Sequence, residues 1–329
     1  MISPAAPLTL RLTLACLMLA VVGTTSGCLH GKRPPVAPPK AAPTPPRASS
    51  PAPRKTEPAR CEPCQQQRQL MLALDSAPLI TLPEAPWEYA APAPGPLPRD
   101  PAPRLTLLSA TKADPTRAMN RSYSPDTPYF LAPVDNGALP AGVRPTLPTH
   151  YRGESLRAII PAGALTVLLY GGRYLVILGA GEQPERVFDL EALRHPPRAR
   201  PQWQQFAEQD VTHAIVADDT VYVCNGGGSY AKEVYGKKGF VTAISRRDGT
   251  LRWRSQPLVC NATMALVGPW LLTGYGFTAE PDYLYLLRRA DGKMMTRSRL
   301  RTGPETIIVE DARVLVESYA DSYVFDLRP

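Results

Sequence analysis

The sequence lacks the long apolar run that a membrane-spanning helix requires. Its N-terminal apolar stretch, from Leu12 to Val22, is about half as long as the roughly 20 residues needed to cross a bilayer. Histidine is scarce, with four residues in 329, and no Gly-x-Ser-x-Gly, His-Glu-x-x-His or Walker sequence occurs. These absences disfavour serine hydrolases, zinc peptidases and nucleotide-binding enzymes, and we expect a protein that is not an enzyme.

The N-terminus has the pattern of an export signal. The short apolar run is followed by small residues and a cysteine, Thr25-Ser26-Gly27-Cys28, which resembles a bacterial lipobox. This predicts a signal peptide at 1–27, acylation of Cys28 and attachment to the membrane through a lipid anchor. The predicted location is the bacterial cell envelope, as an outer-membrane lipoprotein that faces the periplasm or the cell surface. Because Thr25 stands where leucine is usual, a plain secretory signal is the alternative.

Proline is distributed unevenly along the chain. Of the 39 prolines, ten lie between Leu29 and Arg60 but only nine between Leu165 and the C-terminus. The stretch from Leu29 to Arg60 also holds seven basic residues and one acid, a net charge of 7 − 1 = +6 of the total +8. Such a segment cannot bury a core, so residues 28–104 are predicted to be a disordered tether with a short helix near 65–74. An exported protein with its charge in a tether is not expected to bind nucleic acid.

Four cysteines follow the lipobox: Cys61, Cys64, Cys224 and Cys260. In an exported protein, disulfides are more common than metal ligands. The Cys61-x-x-Cys64 motif is followed by Gln65, whereas haem attachment requires histidine at that position. The few histidines supply no second ligand pair for zinc. We therefore predict a local disulfide between Cys61 and Cys64 and no metal site.

A repeat occupies the C-terminal half. An apolar run, a tight turn and a second apolar run recur four times, with equivalent positions at Arg173, Thr220, Trp270 and Arg313. A second part of the repeat reads "FVTAISRRDGTLRW" from Phe240 and "YLYLLRRADGKMMT" from Tyr283, and weaker versions without a turn begin at Arg186 and Ser322. Two hairpins that recur at a period of about 40–50 residues are typical of a β-propeller blade.

The predicted fold class is therefore all-β. Asp248-Gly249 and Asp291-Gly292 supply the two-residue turns that hairpins favour. Residues 165–329 are predicted to form four-stranded blades, and residues 105–164 an extended or divergent region in which Leu156–Gly163 is a closing strand. Because four units are few for a closed ring, we expect the propeller to be small or partial.

The stretch from Gly239 to Trp253 resembles the repeat of the PQQ-like (quinoprotein-dehydrogenase-like) β-propellers. Five residues match the pattern of that family: Gly239, Val241, Ala243, Gly249 and Trp253. Three positions depart from it: Ser245, Asp248 and Thr296. The resemblance implies that the alanine packs against the next blade and that the tryptophan docks between blades.

The dehydrogenases of this family hold a quinone and a calcium ion on the propeller axis. The resemblance implies acidic metal ligands, a stacking tryptophan and typically an adjacent cysteine pair. Here no two cysteines are neighbours, and two of the four tryptophans, Trp253 and Trp270, fall at repeat positions. We therefore expect no cofactor, and a quinone-dependent oxidoreductase is the less favoured alternative.

The repeat also bears on the remaining cysteines. Cys224 ends the second strand of one unit and Cys260 precedes the first strand of the next. Antiparallel strands place these two ends on the same rim of neighbouring blades, which predicts a disulfide between them. Two independent buried thiols are the alternative.

The loop "NGGGSYAKEVYGKKG" (Asn225 to Gly239) is longer than its counterpart in the next unit. It is interpreted either as a flexible surface loop or as a loop that binds a partner, with five candidate contacts: Tyr230, Lys232, Tyr235, Lys237 and Lys238. The paired arginines before the Asp-Gly turns are expected to be solvated hairpin tips.

The favoured function is that of a non-enzymatic scaffold that binds other envelope proteins. It is similar in kind to the propeller lipoproteins of outer-membrane protein assembly complexes. The alternatives are a cell-wall or carbohydrate-binding module and a sensor.

Overall fold

The computed structural model describes residues 62–92, 103–113, 132–133 and 147–328, except 198, 262 and 277–278. All of them belong to one compact unit, Pro58–Pro329. The predicted signal peptide, the lipidation site Cys28, Cys61 and the tether before residue 62 lie outside the described residues. No helix among the described residues is long and apolar enough to cross a membrane.

In the described part of the chain, the secondary structure is one helix, four short 3₁₀ helices and nineteen strands. The bounds are α1 (Glu62–Ser76), β1 (Leu79–Thr81), β2 (Arg104–Lys112), β3 (Ala132–Pro133), β4 (His150–Tyr151), β5 (Glu154–Ala162), β6 (Leu165–Tyr170), β7 (Tyr174–Leu178), β8 (Pro184–Asp189), β9 (Asp210–Ala217), β10 (Thr220–Gly226), β11 (Phe240–Ser245), β12 (Leu251–Arg254), β13 (Met264–Val267), β14 (Trp270–Tyr275), β15 (Tyr283–Arg288), β16 (Met294–Arg299), β17 (Pro304–Glu310), β18 (Arg313–Ser318) and β19 (Asp321–Arg328).

The strands form four sheets that follow the predicted units. Blade 1 has the order β1-β8-β7-β6-β5-β3, with β4 beside β5. Blade 2 is β12-β11-β10-β9, blade 3 is β13-β14-β15-β16 and blade 4 is β17-β18-β19-β2. Contacts between the inner strands β5 and β9, β9 and β13, and β13 and β17 join successive blades. The architecture is a partial β-propeller, which confirms the predicted fold class.

The outer strands of the first and last blades come from the N-terminal side of the chain. Strand β1 pairs in parallel with β8, and β2 pairs antiparallel with β19 along its whole length. This explains why the repeats at Arg186 and Ser322 have no turn and no fourth strand of their own. Helix α1 overlaps the short helix predicted near 65–74 and β5 overlaps the predicted strand Leu156–Gly163, whereas β1 and β2 had no counterpart among the predicted elements.

Two hydrophobic clusters fill the spaces between blades. One joins blades 1, 2 and 3, and the other joins blades 3 and 4. A third covers the far face of blade 1 with Leu70 and Leu74 of helix α1. Among the described residues, no such cluster joins blade 4 to blade 1. The blades are therefore held in a row by burial of apolar side chains between successive sheets.

The tryptophan that matches the family repeat docks between blades, as the sequence resemblance implied. Trp253 is buried on β12 of blade 2, and its indole nitrogen donates a 3.0 Å hydrogen bond to the carbonyl of Arg289 in blade 3. Its ring lies against Gly292, where a Cβ atom would approach Cε3 to 2.3 Å. The glycine of the Asp-Gly turn therefore serves two needs, a positive φ of 71° and space for the neighbouring indole ring.

The arginines before the Asp-Gly turns bridge blades. Arg289 of blade 3 donates to the hydroxyl of Tyr222 (2.9 Å) and to the carboxylate of Asp218 (2.7 Å), both in blade 2. The equivalent Arg246 of blade 2 pairs with Glu185 of blade 1. The expectation that these arginines are solvated hairpin tips was wrong for both, because each reaches the preceding blade.

An N-terminal strap, defined as residues 79–92 and 103–112, lies along the outer strands. In its first part, Ala90 exchanges two backbone hydrogen bonds (2.9 and 3.0 Å) with Arg254 of β12. The guanidinium of Arg254 lies over the rings of both Trp87 and Phe240, with Cζ 4.6 and 4.2 Å from their centroids. Burial lowers the pKa of Arg254 to about 9, and the two aromatic faces provide cation–π attraction in place of a carboxylate.

The predicted disulfide between Cys224 and Cys260 is present, with Cα atoms 5.8 Å apart. Both residues are fully buried. The bond joins the end of β10 to the chain entering blade 3, two points that antiparallel topology places on the same rim. Cys64 is also disulfide-bonded, whereas its predicted partner Cys61 lies outside the described residues, so that pairing stays a prediction.

His213 makes the stability of the propeller depend on pH. Complete burial on β9 lowers its pKa to about 3, from about 6.5 in an unfolded chain. The folded state therefore binds fewer protons than the unfolded state below pH 6.5. We expect its contribution to the free energy of unfolding to fall, as the pH decreases from 6.5 towards 3, by up to about 1.4 kcal/mol per pH unit.

Urea unfolding of the wild type and of His213→Gln between pH 7 and pH 5 checks this expectation. The variant lacks the titrating imidazole, so its free energy of unfolding should depend less steeply on pH. Equal slopes for the two proteins would contradict the assignment of the buried neutral histidine.

Candidate functional site

Two connections lie together on one rim of the propeller. One is the loop between β10 and β11, residues 227–239, and the other joins β8 to β9, residues 190–209. The backbone amide of Arg200 donates a 3.0 Å hydrogen bond to the carbonyl of Glu233, and the amide side chain of Gln209 donates to the carbonyl of Lys237. These bonds make the two connections one continuous surface.

The β10–β11 loop has defined structure. It contains a 3₁₀ helix, Ala231–Val234, whose entry is capped by a 2.8 Å hydrogen bond from the backbone amide of Tyr230 to the carboxylate of Glu233. Glu280 of blade 3 accepts from the backbone amide of Ala231 and from the hydroxyl of Tyr275. A loop held by its own cap and by the next blade presents its side chains in fixed positions.

The five predicted contact residues differ in how exposed they are. Lys232 and Tyr235 are exposed, and Tyr230 and Lys237 are half-buried. The Lys232 ammonium lies 5.6 Å from the centre of the Tyr230 ring. These four side chains lie on or near the surface of the rim, where a partner could reach them.

Lys238 is placed differently from the other four. It is fully buried, and its ammonium donates to the carbonyls of Gly227 (2.9 Å) and Ser229. Burial lowers the pKa of Lys238, against the opposing effect of the nearby carboxylates of Glu280 and Glu233. From this buried position, Lys238 stabilises the conformation of the loop and does not present its ammonium group to a partner.

The neighbouring connection adds two aromatic residues that were not among the predicted contacts. Trp203 and Phe206 lie on the 3₁₀ helix Pro201–Phe206, with ring centroids 5.9 Å apart. Their side chains are 36% and 47% exposed, and that of Tyr235 is 57% exposed. The available sequence signal was the spacing of Trp203 and Phe206, because residues three apart share one side of a 3₁₀ helix.

These three side chains are called the aromatic patch (Trp203, Phe206 and Tyr235). Beside it is a cleft of about 620 Å³ that Tyr235 lines together with Gln204 and Glu208. Tyr235 and the 3₁₀ helix that carries Trp203 and Phe206 thus border one cleft, and large exposed apolar patches mark interaction sites on soluble proteins. The patch combines large apolar rings with hydrogen-bonding groups at its border, a composition typical of the contact surfaces of proteins.

The opposite rim, where the Asp-Gly turns lie, is built from ion pairs. Clefts of about 330 and 630 Å³ open there between successive blades, and both are lined by Asp218 and Asp219. The arginines of this rim, Arg246 and Arg289, form ion pairs between blades. Arg252 forms a further ion pair with Asp219. Among the described residues, no group of three or more His, Cys, Asp or Glu side chains could hold a metal ion.

Comparisons with known proteins give only distant similarities. No protein-family model matches the chain, and no curated protein matches it. Among solved structures, BamB from Moraxella catarrhalis is 10% identical, with 68% of this chain and 100% of that chain covered and a TM-score of 0.34.

Two dehydrogenases are similar at the same level. A europium-containing methanol dehydrogenase is 11% identical, with coverage of 67% and 51% and a TM-score of 0.37. The quinohemoprotein alcohol dehydrogenase from Comamonas testosteroni is 12% identical, with coverage of 49% and 32% and a TM-score of 0.35. The chain thus spans about half and about a third of these two enzymes. At such values the similarities carry no functional argument, and the propeller architecture stands on the sheets of this chain itself.

Proposed function

We propose that this protein is a non-enzymatic β-propeller scaffold of the bacterial envelope that binds another envelope protein through the aromatic patch. The observation that carries the proposal is the exposure of Trp203, Phe206 and Tyr235 on one ordered rim. Tryptophan and tyrosine are enriched among the residues that dominate binding energy in protein interfaces. A lipid on Cys28 and the proline-rich tether would hold this rim near the membrane.

Site-specific photocrosslinking in the native envelope tests the proposal. A photoreactive phenylalanine analogue at Tyr235 is expected to give one dominant crosslinked partner. The double variant Trp203→Ala, Phe206→Ala should reduce that crosslink by about tenfold, because truncation of anchor residues commonly weakens binding by 1.4 kcal/mol or more. Tyr319→Ala serves as the matched control, since Tyr319 is 78% exposed but lies in the turn before β19.

The outcome that contradicts the scaffold is a crosslink that survives the double variant unchanged. The anchor has its own test, because Cys28→Ala should move the protein from the membrane fraction to the soluble fraction. Retention of Cys28→Ala in the membrane fraction would show that another element attaches the protein.

A cell-wall-binding module is the second candidate, because exposed aromatic rings also stack on sugars. Sedimentation with purified peptidoglycan separates the two functions. Co-sedimentation that is lost in the double variant would favour the wall-binding module over the protein scaffold.

A further inference from the structure

Strand β2 is the outermost described strand of blade 4. It pairs with β19 on its inner side and has no pairing on the other side among the described residues. It is nine residues long, and eight of the nine are exposed. An edge strand of this length presents a row of amide and carbonyl groups that can hydrogen-bond to an added strand.

The other outer strands are shorter or covered. Strand β1 has three residues, and β12 has four and is paired with Ala90 of the N-terminal strap. Strand β16 has six residues. Proteins commonly protect an edge strand with proline, an internal lysine, or brevity. Strand β2 has neither proline nor a charge between its two ends, and its one irregularity is a bulge at Leu108.

The side chains around this edge are apolar in the middle and basic at the ends. Leu107 and Leu108 are about half exposed near the centre of β2. Arg104 and Lys112 lie at its two ends, and Lys112 is paired with Asp321 at 3.2 Å. Arg301 lies 3.8 Å from the same carboxylate, so two cations share one anion at this end. The strand therefore offers an apolar centre between two cationic ends.

The neighbouring strand of blade 3 strengthens this positive charge. Strand β16 contacts β2 and carries Arg297 and Arg299 but no acidic residue. The guanidinium of Arg297 lies over the Tyr283 ring, 4.6 Å from its centroid. An added strand would thus meet cations from two blades, which favours one with acidic residues.

We propose that β2 is a docking edge for an extended segment of a partner protein, with acidic residues near both ends and uncharged β-prone residues between them. The segment would add a fifth strand to blade 4, with backbone hydrogen bonds providing affinity and the end charges providing direction and selectivity. This surface is separate from the aromatic patch and does not depend on the function proposed above.

A second copy of the chain is the less favourable occupant. Two β2 strands paired antiparallel over their full length would bring Arg104 of each copy beside Lys112 of the other. Like charges directly opposite each other destabilise a strand pair. Charge therefore selects a different, acidic segment.

Three peptides test the proposal with the full-length protein. The first is a fluorescent nine-residue peptide that alternates valine and threonine between terminal aspartates, and the second has lysines in place of the aspartates. The third is the acidic peptide with alternate amides N-methylated, which removes the donors from one edge. We expect the acidic peptide to bind and to slow hydrogen exchange of β2 amides, and the other two to bind about tenfold more weakly or worse.

A charge variant and a matched control localise the site. Arg104→Glu should weaken binding of the acidic peptide by about five- to tenfold, because it replaces an attraction with a repulsion. Arg313→Glu is the control, since Arg313 is also exposed in blade 4 but belongs to the internal strand β18.

Three results would overturn the proposal. One is equal binding of the acidic and lysine peptides, and another is the absence of protection on β2 at millimolar acidic peptide. The third is a concentration-dependent dimer, seen by analytical ultracentrifugation, that Leu107→Asp abolishes, because it would assign the edge to a second copy. None of these results bears on crosslinking at Tyr235, so the two proposals fail separately.

Discussion

Replacement of both Cys224 and Cys260 by alanine is expected to lower the free energy of unfolding by about 4 kcal/mol. The two cysteines are 36 residues apart in sequence, and closing a loop of that length in the unfolded chain corresponds to roughly this free energy. The bond also holds the end of β10 against the chain that enters blade 3. We therefore expect blades 2 and 3 to lose much of their mutual stability when it is absent.

Equilibrium urea unfolding of the wild type and the double variant measures this effect. Reductant supplies the control, because it should lower the stability of the wild type much more than that of the double variant. A difference below about 1 kcal/mol between oxidised wild type and variant would show that the non-covalent contacts between blades are sufficient.

Gly292→Ala is expected to lower the free energy of unfolding by about 3 kcal/mol. A left-handed conformation costs a non-glycine residue roughly 1–2 kcal/mol, and the new Cβ would also meet the buried ring of Trp253 at 2.3 Å. Overpacking of this kind costs about 1–3 kcal/mol in well-packed interiors. The substitution thus affects the turn and the contact between blades together.

Gly268→Ala is the matched control for this prediction. Gly268 also has a positive φ, 51°, but a Cβ added there would meet nothing within 4 Å. Gly268→Ala should lower the free energy of unfolding by only about 1 kcal/mol, the conformational part of the effect. In the Trp253→Ala background, the loss of stability caused by Gly292→Ala should fall to a similar value. If Gly292→Ala remained as costly without the indole ring, the contact with Trp253 would not be the cause.

Much of the propeller could be predicted from local sequence. Runs of β-prone residues, two Asp-Gly turns and a repeat period near 43–50 residues together specify four-stranded units. The disulfide followed from the same reasoning, because antiparallel topology determines which strand ends share a rim. Both predictions rest on relations between residues within one repeat or two consecutive repeats.

The outer strands of blades 1 and 4 could not be predicted in this way. Strand β1 pairs with β8 across about a hundred residues, and β2 pairs with β19 across about two hundred. The segments that form β1 and β2 lie among prolines and resemble a linker. They become strands because β8 and β19 offer edges with which they can pair. The partnerships depend on which edges the folded blades leave open, which no local pattern contains.

The rim that carries the aromatic patch shows the same division between what local sequence predicts and what depends on the folded chain. The length and composition of the β10–β11 loop indicated Tyr230, Lys232 and Tyr235 as surface residues, whereas burial of Lys238 became clear only from the carbonyls around its ammonium. Trp203 belongs to a different connection, the one before β9, and strands β9 and β10 separate it from the loop. The two segments meet because the β8–β9 connection and the β10–β11 loop lie on the same rim.

The sequence by itself determined the type of blade and the cysteine pair that joins two of the blades, and it left the number of blades open. These depend on strand propensity, turn geometry and alternation, which act over a few residues. Only the tertiary structure decided that the N-terminal strap completes the outer edges and that no described strand pairs with the outer side of β2. It also decided that aromatic residues from two connections form one surface. The physical reason is that edge pairing and surface exposure are properties of assembled sheets, set by what neighbouring strands leave uncovered.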